Sequence, residues 1–170
     1  MKLNIELIRK KDTANVLDFE YELEDAEKSG LLGILSAERV GRVRISGDAA
    51  QENGFAAINY DIDADFTVEC ARCGRETAQR MSLGGKKYLA DKADGKEDND
   101  DYYTLESPGI VDLHEFAAEF LALEAPLRYL CSDDCLGLCE QCGKDLNAGG
   151  CACGNREINP AFKVLDNFFD

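Results

Sequence analysis

Eight cysteines, unevenly spaced along 170 residues, limit what this chain can fold into more than any other feature. Cys70 and Cys73 stand together in mid-chain, while Cys131, Cys135, Cys139, Cys142, Cys151 and Cys153 crowd into one short segment. Disulfides would require an oxidising compartment. After Met1-Lys2 the N-terminus has no apolar stretch, and no tract reaches the roughly 18 apolar residues that span a bilayer. The expected setting is therefore cytoplasmic with no membrane contact, and closely spaced cysteines there read as metal ligands.

Two thiolates separated by two residues grip one tetrahedral ion because the intervening turn brings both sulfurs to the same side. A glycine after the second cysteine lets the chain turn away in a left-handed conformation, and Gly74, Gly143 and Gly154 stand at such places. Four thiolates make one closed zinc site, so eight cysteines make two structural Zn²⁺ centres. Spacing groups Cys139, Cys142, Cys151 and Cys153 around the short loop 147–150, leaving Cys70, Cys73, Cys131 and Cys135 for a centre that ties distant segments together. Two other partitions stay open: Cys135 joining the C-terminal four, or Cys131 as a buried free thiol. Catalysis is not expected. Cys70 follows an acidic strand rather than opening a helix, and no nucleophile triad, phosphate-cradling loop or dinucleotide fingerprint appears.

The rest of the chain reads as α+β: a mainly antiparallel sheet or partly open barrel, one or two packing helices and a C-terminal zinc knuckle. Leu3, Ile5 and Leu7, and Phe19, Tyr21 and Leu23, alternate with polar residues as strands do. Lys28-Ser29-Gly30 reads as a turn, and Gly47-Asp48 and Asn53-Gly54 as punctuation after the Val43–Ile45 strand. Residues 58–70 form the cleanest alternation, with Ile58, Tyr60, Ile62, Ala64, Phe66, Val68 and Cys70 on one face; residues 77–83 return antiparallel, so the first cysteine pair caps a hairpin. An acidic loop spans 91–101, and Asp112 with Glu115 opens a helix over 112–124. His114 falls in its first turn as a solvated residue. Asn159-Pro160 opens a short C-terminal helix carrying Phe162, Leu165 and Phe169. This divides the chain into a core over 1–130 and a cysteine-rich segment over 131–170.

The formal charge is −15, from 19 Lys and Arg against 34 Asp and Glu, and zinc-thiolate centres add to it. Generic affinity for phosphate backbones needs the opposite sign. The local exception is Arg72, Arg75, Arg80, Lys86 and Lys87, with only Glu76 among them, which form the candidate nucleic-acid contact; Arg39, Arg42 and Arg44 extend it if their strand lies alongside. Arg72 and Arg75 have an alternative role in offsetting the thiolate charge.

The alternating strand running into Val68-Glu69-Cys70-Ala71-Arg72-Cys73, the acidic loop, Val111-Asp112-Leu113 opening a helix, the run from Cys131 through Cys135-Leu136-Gly137-Leu138-Cys139 to Cys142-Gly143, and the closing Asn159-Pro160-Ala161-Phe162 together resemble the YceD family. The resemblance implies a bacterial or plastid protein needed for accumulation of large-subunit ribosomal RNA, with no established catalytic activity and no small-molecule substrate. It also implies a place in ribosome assembly, since members tend to be encoded beside a small zinc-ribbon protein of the large subunit. The expected partner is the large-subunit rRNA precursor, bound through the basic residues, or a basic ribosomal or assembly protein, bound through the strand aspartates or the acidic loop.

Overall fold

The structure is a computed structural model and describes residues 1–9, 17–91 and 101–153. The acidic stretch 92–100 and the C-terminal helix expected after Asn159 fall outside those residues. A short strand β1 (Lys2–Asn4) and a helical turn α1 (Glu6–Arg9) precede β2 (Leu17–Glu22) and helix α2 (Asp25–Ile34). Three long strands follow, β3 (Arg39–Glu52), β4 (Phe55–Glu69) and β5 (Glu76–Asp91), then β6 (Tyr102–Leu105), β7 (Ile110–Asp112) and helix α3 (Leu113–Glu124).

The main sheet has the order β2-β3-β4-β5-β6 and is antiparallel except for the parallel β5–β6 pair. It is open, which decides against the barrel. β1 and β7 form a separate two-stranded sheet. Asn53 and Gly54 both take positive φ, at 51° and 86°, the conformation whose twist suits a tight hairpin between β3 and β4. β6 reaches only Tyr88 to Asp91, so the outer edge of β5 from Glu76 to Lys87 has no partner strand among the described residues.

The period-two pattern of β4 is the spine of the fold. Ile58, Ile62, Ala64, Phe66 and Val68 are buried on one face, joined by Val43 and Ile45 of β3. α3 covers this face with Leu113, Phe116, Ala117, Phe120 and Leu121, which lie in the same core cluster as Leu31 and Leu35 from α2 and its C-terminal end. Phe116 sits at the centre, its ring 5.0 Å from Tyr60, 4.8 Å from Tyr103 and 4.6 Å from Phe120. Tilted and edge-on packing of this kind adds to simple burial.

Four sequence expectations are corrected. The strand expected through Leu7 stops at Asn4, because the Asn4 carboxamide oxygen accepts from the Glu6 N–H at 3.0 Å and starts α1. Lys28-Ser29-Gly30 is not a turn but the middle of α2. Glu27 accepts from the Glu24 N–H at 2.8 Å and Ser29 Oγ donates to the Ala26 carbonyl at 2.7 Å, while burial of Leu31 holds the helix down. Gly47-Asp48 lies inside β3, where Gly47 faces the backbone of Asn59. The expected return strand is also longer than 77–83, continuing to Asp91. Asp112 is the N-cap of α3, its carboxylate accepting from the His114 N–H at 3.0 Å, and His114 is half-buried there rather than solvated.

α2 is tied to the sheet by Tyr21, whose hydroxyl donates to Glu27 at 2.6 Å. That bond pushes the Tyr21 hydroxyl up to about 12 and lowers the Glu27 carboxyl. A raised phenol contributes stability below pH 10 that disappears as pH rises through about 12, and a lowered carboxyl contributes stability that disappears on acidification through its folded value. Tyr21→Phe is therefore expected to lower the melting temperature at neutral pH and to change it least at the two extremes, read as the difference in thermal melts between variant and parent across pH.

Candidate metal centre

The long β4–β5 hairpin ends in the turn that carries Cys70 and Cys73. The Gly74 N–H donates to the Cys70 carbonyl at 2.9 Å and the Cys70 N–H to the Arg75 carbonyl at 2.9 Å. The second turn repeats this almost bond for bond: the Gly143 N–H donates to the Cys139 carbonyl at 2.8 Å, and the Cys139 N–H to the Lys144 carbonyl at 2.8 Å. Gly74 and Gly143 take φ of 68° and 69°, as the left-handed exit requires. Gly154 lies outside the described residues.

After α3 the chain returns across the sheet to the hairpin tip. The Ala71 N–H donates to the Tyr129 carbonyl at 2.9 Å and Gln79 Nε2 to the Leu130 carbonyl at 3.3 Å. Cys131 and Cys135 thereby meet Cys70 and Cys73, with Sγ separations of 3.8 Å for Cys70–Cys135 and 3.7 Å for Cys73–Cys131. The Tyr129 ring packs on Phe66 at 5.5 Å, but its buried hydroxyl has no hydrogen-bond partner among the described residues. Tyr129→Phe is expected to raise stability by about 1 kcal/mol, because it removes an unsatisfied polar atom; denaturant unfolding reads the sign.

The cysteines form two groups of four, Cys70/Cys73/Cys131/Cys135 and Cys139/Cys142/Cys151/Cys153, with all ligand atoms of a group within 4.8 Å of one another. All eight are free thiols. A Zn–S bond of about 2.3 Å gives a tetrahedron with edges of about 3.8 Å, so the first group already has the spacing of a closed site. In the second, Cys139 and Cys151 stand 3.4 Å apart. The first group is largely buried, with Cys70 and Cys135 each 2% exposed, whereas the second lies nearer solvent.

A family model described as "Large ribosomal RNA subunit accumulation protein YceD" matches residues 58–169, from the start of the long alternation through both cysteine groups. The chain belongs to the YceD family. Comparison with curated proteins and with solved structures returns no significant match. Membership of the YceD family implies a role in accumulation of large-subunit ribosomal RNA.

The electrostatics of both groups suit a cation. Cys70 is brought down to about 6, chiefly by a backbone hydrogen bond from Cys131, with others from Arg72 and Cys73. Cys139 is brought down to about 6 by those of Cys142 and Gln141. Cys131 and Cys153 are instead pushed up to about 12 by sharing hydrogen bonds with neighbouring sulfurs, Cys135 and Cys142 first, and by burial. Cys73 is raised as well, so each group has one sulfur poised to ionise beside at least one that is held back, and a divalent ion removes that conflict.

Sequence reasoning missed the bracing around these sulfurs. Asn147 Nδ2 donates to Cys135 Sγ at 3.5 Å while its Oδ1 accepts from the Leu136 N–H at 2.8 Å, so the loop of the second group orients a ligand of the first. Asp145 fixes Asn147 by accepting from its N–H at 2.9 Å and opens a short 3₁₀ turn over Leu146–Ala148. Asp-x-Asn before a glycine pair is the Asx-turn signal from which this could have been read. At Gly137 an added Cβ would meet the Arg72 carbonyl at 3.0 Å, a carbonyl that also accepts from the Leu138 N–H at 3.2 Å.

The basic residues divide between the cysteine groups and the two faces of the main sheet. Arg72 Nη1 donates to the Cys135 carbonyl at 2.8 Å and Arg75 pairs with Asp145 at 2.8 Å, so both brace the cysteine groups. Arg80 lies mid-strand between Asp63 and Asp65, at 3.4 and 3.8 Å. Lys86 pairs with Glu52 on the same face, while Lys87 projects to the opposite face with its Nζ 5.3 Å above the Phe120 ring. Arg42 and Arg44 lie opposite Asp65 and Asp63, at 3.9 Å each, and Arg39 sits across from Thr67.

Proposed function

We propose that this chain acts without catalysis in the accumulation of large-subunit ribosomal RNA, that each four-cysteine group carries a structural Zn²⁺, and that its direct partner is a basic ribosomal or assembly protein rather than RNA. In this reading the C-terminal group is a zinc knuckle on a core spanning 1–130, and the protein works in the cytoplasm. Zinc is supported by the all-sulfur donor sets and their tetrahedral spacing; thiolate-only sites are closed and leave no position for substrate.

One observation carries the choice of partner. Of the five candidate phosphate contacts, Arg72 is bonded to the Cys135 carbonyl and Arg75, Arg80 and Lys86 are paired with carboxylates. Engaging RNA would mean breaking those pairs in a chain already at −15.

The test is crosslinking in cells followed by identification of both RNA and protein, with Arg80→Glu and Lys86→Glu as a charge-reversed control. Basic proteins should be recovered at undiminished yield from the control. Direct RNA crosslinks that vanish in it would establish the RNA-binding alternative instead. Metal analysis of reduced, chelator-free protein should give close to two zinc ions per chain.

A further inference from the structure

We propose that the outer face of the main sheet, opposite α3, is a docking surface for an extended, arginine-rich protein segment. This rests on the protein-partner reading above and locates the surface that such a partner would occupy.

The face follows from register. Both α2 and α3 belong to the inner side: Tyr21, which holds α2, and Tyr60, which meets α3, point inward. On the other side, pairing aligns Glu20, Ser46, Asp61 and Gly84 in one row and Asp18, Asp48, Asn59 and Lys86 in the next. The adjoining row holds Ala50, Ala57, Tyr88 and Tyr102. Ser46 and Gly84 give the first of these rows a low floor on which a main chain can lie flat, whereas Ala57 is itself buried. Gly84 matters to that floor, since a Cβ there would stand 2.7 Å from Asp61 Oδ1.

One end of the floor is walled by an aromatic trio. Phe55 lies 6.5 Å from Tyr88 and 5.6 Å from Tyr102, and the two tyrosines lie 5.8 Å apart, all half-buried. Lys86 Nζ already sits 5.3 Å from the Tyr88 ring, which shows that this ring accepts a cation.

Charge selects the occupant. Asp18 and Asp48 are directly opposed across β2 and β3, an arrangement that costs stability on its own. Glu20, Glu22 and Asp61 join them; in these rows stand the cations Arg44, 3.2 Å from Glu20, and Lys86, paired with Glu52, while Arg42 and Arg80 lie further along the face against Asp65 and Asp63. A guanidinium satisfies both halves of such a surface, pairing with carboxylates and stacking on aromatic rings, which an ammonium does less well. RNA would be repelled by the same carboxylates.

The experiment uses the full zinc-loaded chain, a fluorescein-labelled 12-residue peptide of alternating Arg and Gly, its Lys counterpart, and a 12-nucleotide single-stranded RNA. Neutralising the face with Glu20→Gln, Glu22→Gln and Asp61→Asn should weaken the Arg peptide about tenfold, whereas the same charge change elsewhere, Glu38→Gln, Glu115→Gln and Glu124→Gln, should weaken it less than about twofold. Tyr88→Leu should weaken the Arg peptide about fivefold and the Lys peptide about twofold. Unchanged affinity in the face variant, equal loss in the control, or tighter binding of the RNA than of the Arg peptide overturns the proposal. The functional reading fails separately: face variants that lose the peptide yet keep large-subunit rRNA at parental levels in cells would sink that reading and leave the docking face standing.

Discussion

Cys135→Ser is expected to release one of two metal ions and to lower the melting temperature on the order of 10 °C, while Cys142→Ser, releasing the other, lowers it by well under half as much. The difference comes from what each centre ties together. Cys73 and Cys131 are 58 residues apart and enclose β5, β6, β7 and α3, whereas Cys139 and Cys151 are 12 apart. Clipping the longer loop removes more freedom from the unfolded chain, and Cys135 is buried where Cys142 is exposed. Metal content and thermal melts of both variants, measured under reducing conditions, check this. A Cys142→Ser protein as destabilised as Cys135→Ser would show that the hierarchy of the two centres is wrong.

Gly47→Ala is expected to cost about 3 kcal/mol or more, for a reason unrelated to metal. Gly47 pairs with Phe19 on one side and Tyr60 on the other, at the middle of the sheet. A Cβ at this position would lie 2.0 Å from the Asn59 carbonyl oxygen and 3.0 Å from Tyr60 Cα, both backbone atoms that cannot rotate aside. Its φ of 157° adds strain for any L side chain. The strands would have to separate, weakening the pairs that flank β3. Urea unfolding of the variant should show a lower midpoint with full zinc content, which separates this effect from loss of a centre. Gly30→Ala, with nothing within 4 Å of the new atom and a helical backbone, should instead be neutral or stabilising.

The contrast between those glycines also marks where sequence reading worked. Residues 58–70 were legible because one face is buried and the other wet, so the alternation in residue type is the alternation in solvent contact. The two Cys-x-x-Cys-Gly turns were legible because their geometry is local: a left-handed glycine closes each within five residues. Gly47 was misread because a glycine in a turn and a glycine under a close strand look identical in one dimension. α2 was hidden for the opposite reason, since Ser29 and Gly30 have weak helix propensity and the burial of Leu31 and Leu35 that overrides it is tertiary. The bond from Arg72 to the Cys135 carbonyl, 63 residues away, leaves no trace in composition, so this bracing was not legible in the sequence.

The edge of β5 that no described strand pairs has a consequence for how this protein behaves in company with itself. A row of open backbone donors and acceptors is the template on which strands of separate molecules stack into aggregates. Here the rim ends in Gly84 and Gly85, which give an incoming strand little to pack on, followed by Lys86 and Lys87, which would face their own counterparts if two copies met edge to edge. Edge-to-edge pairing of two copies along this stretch of β5 is thereby disfavoured.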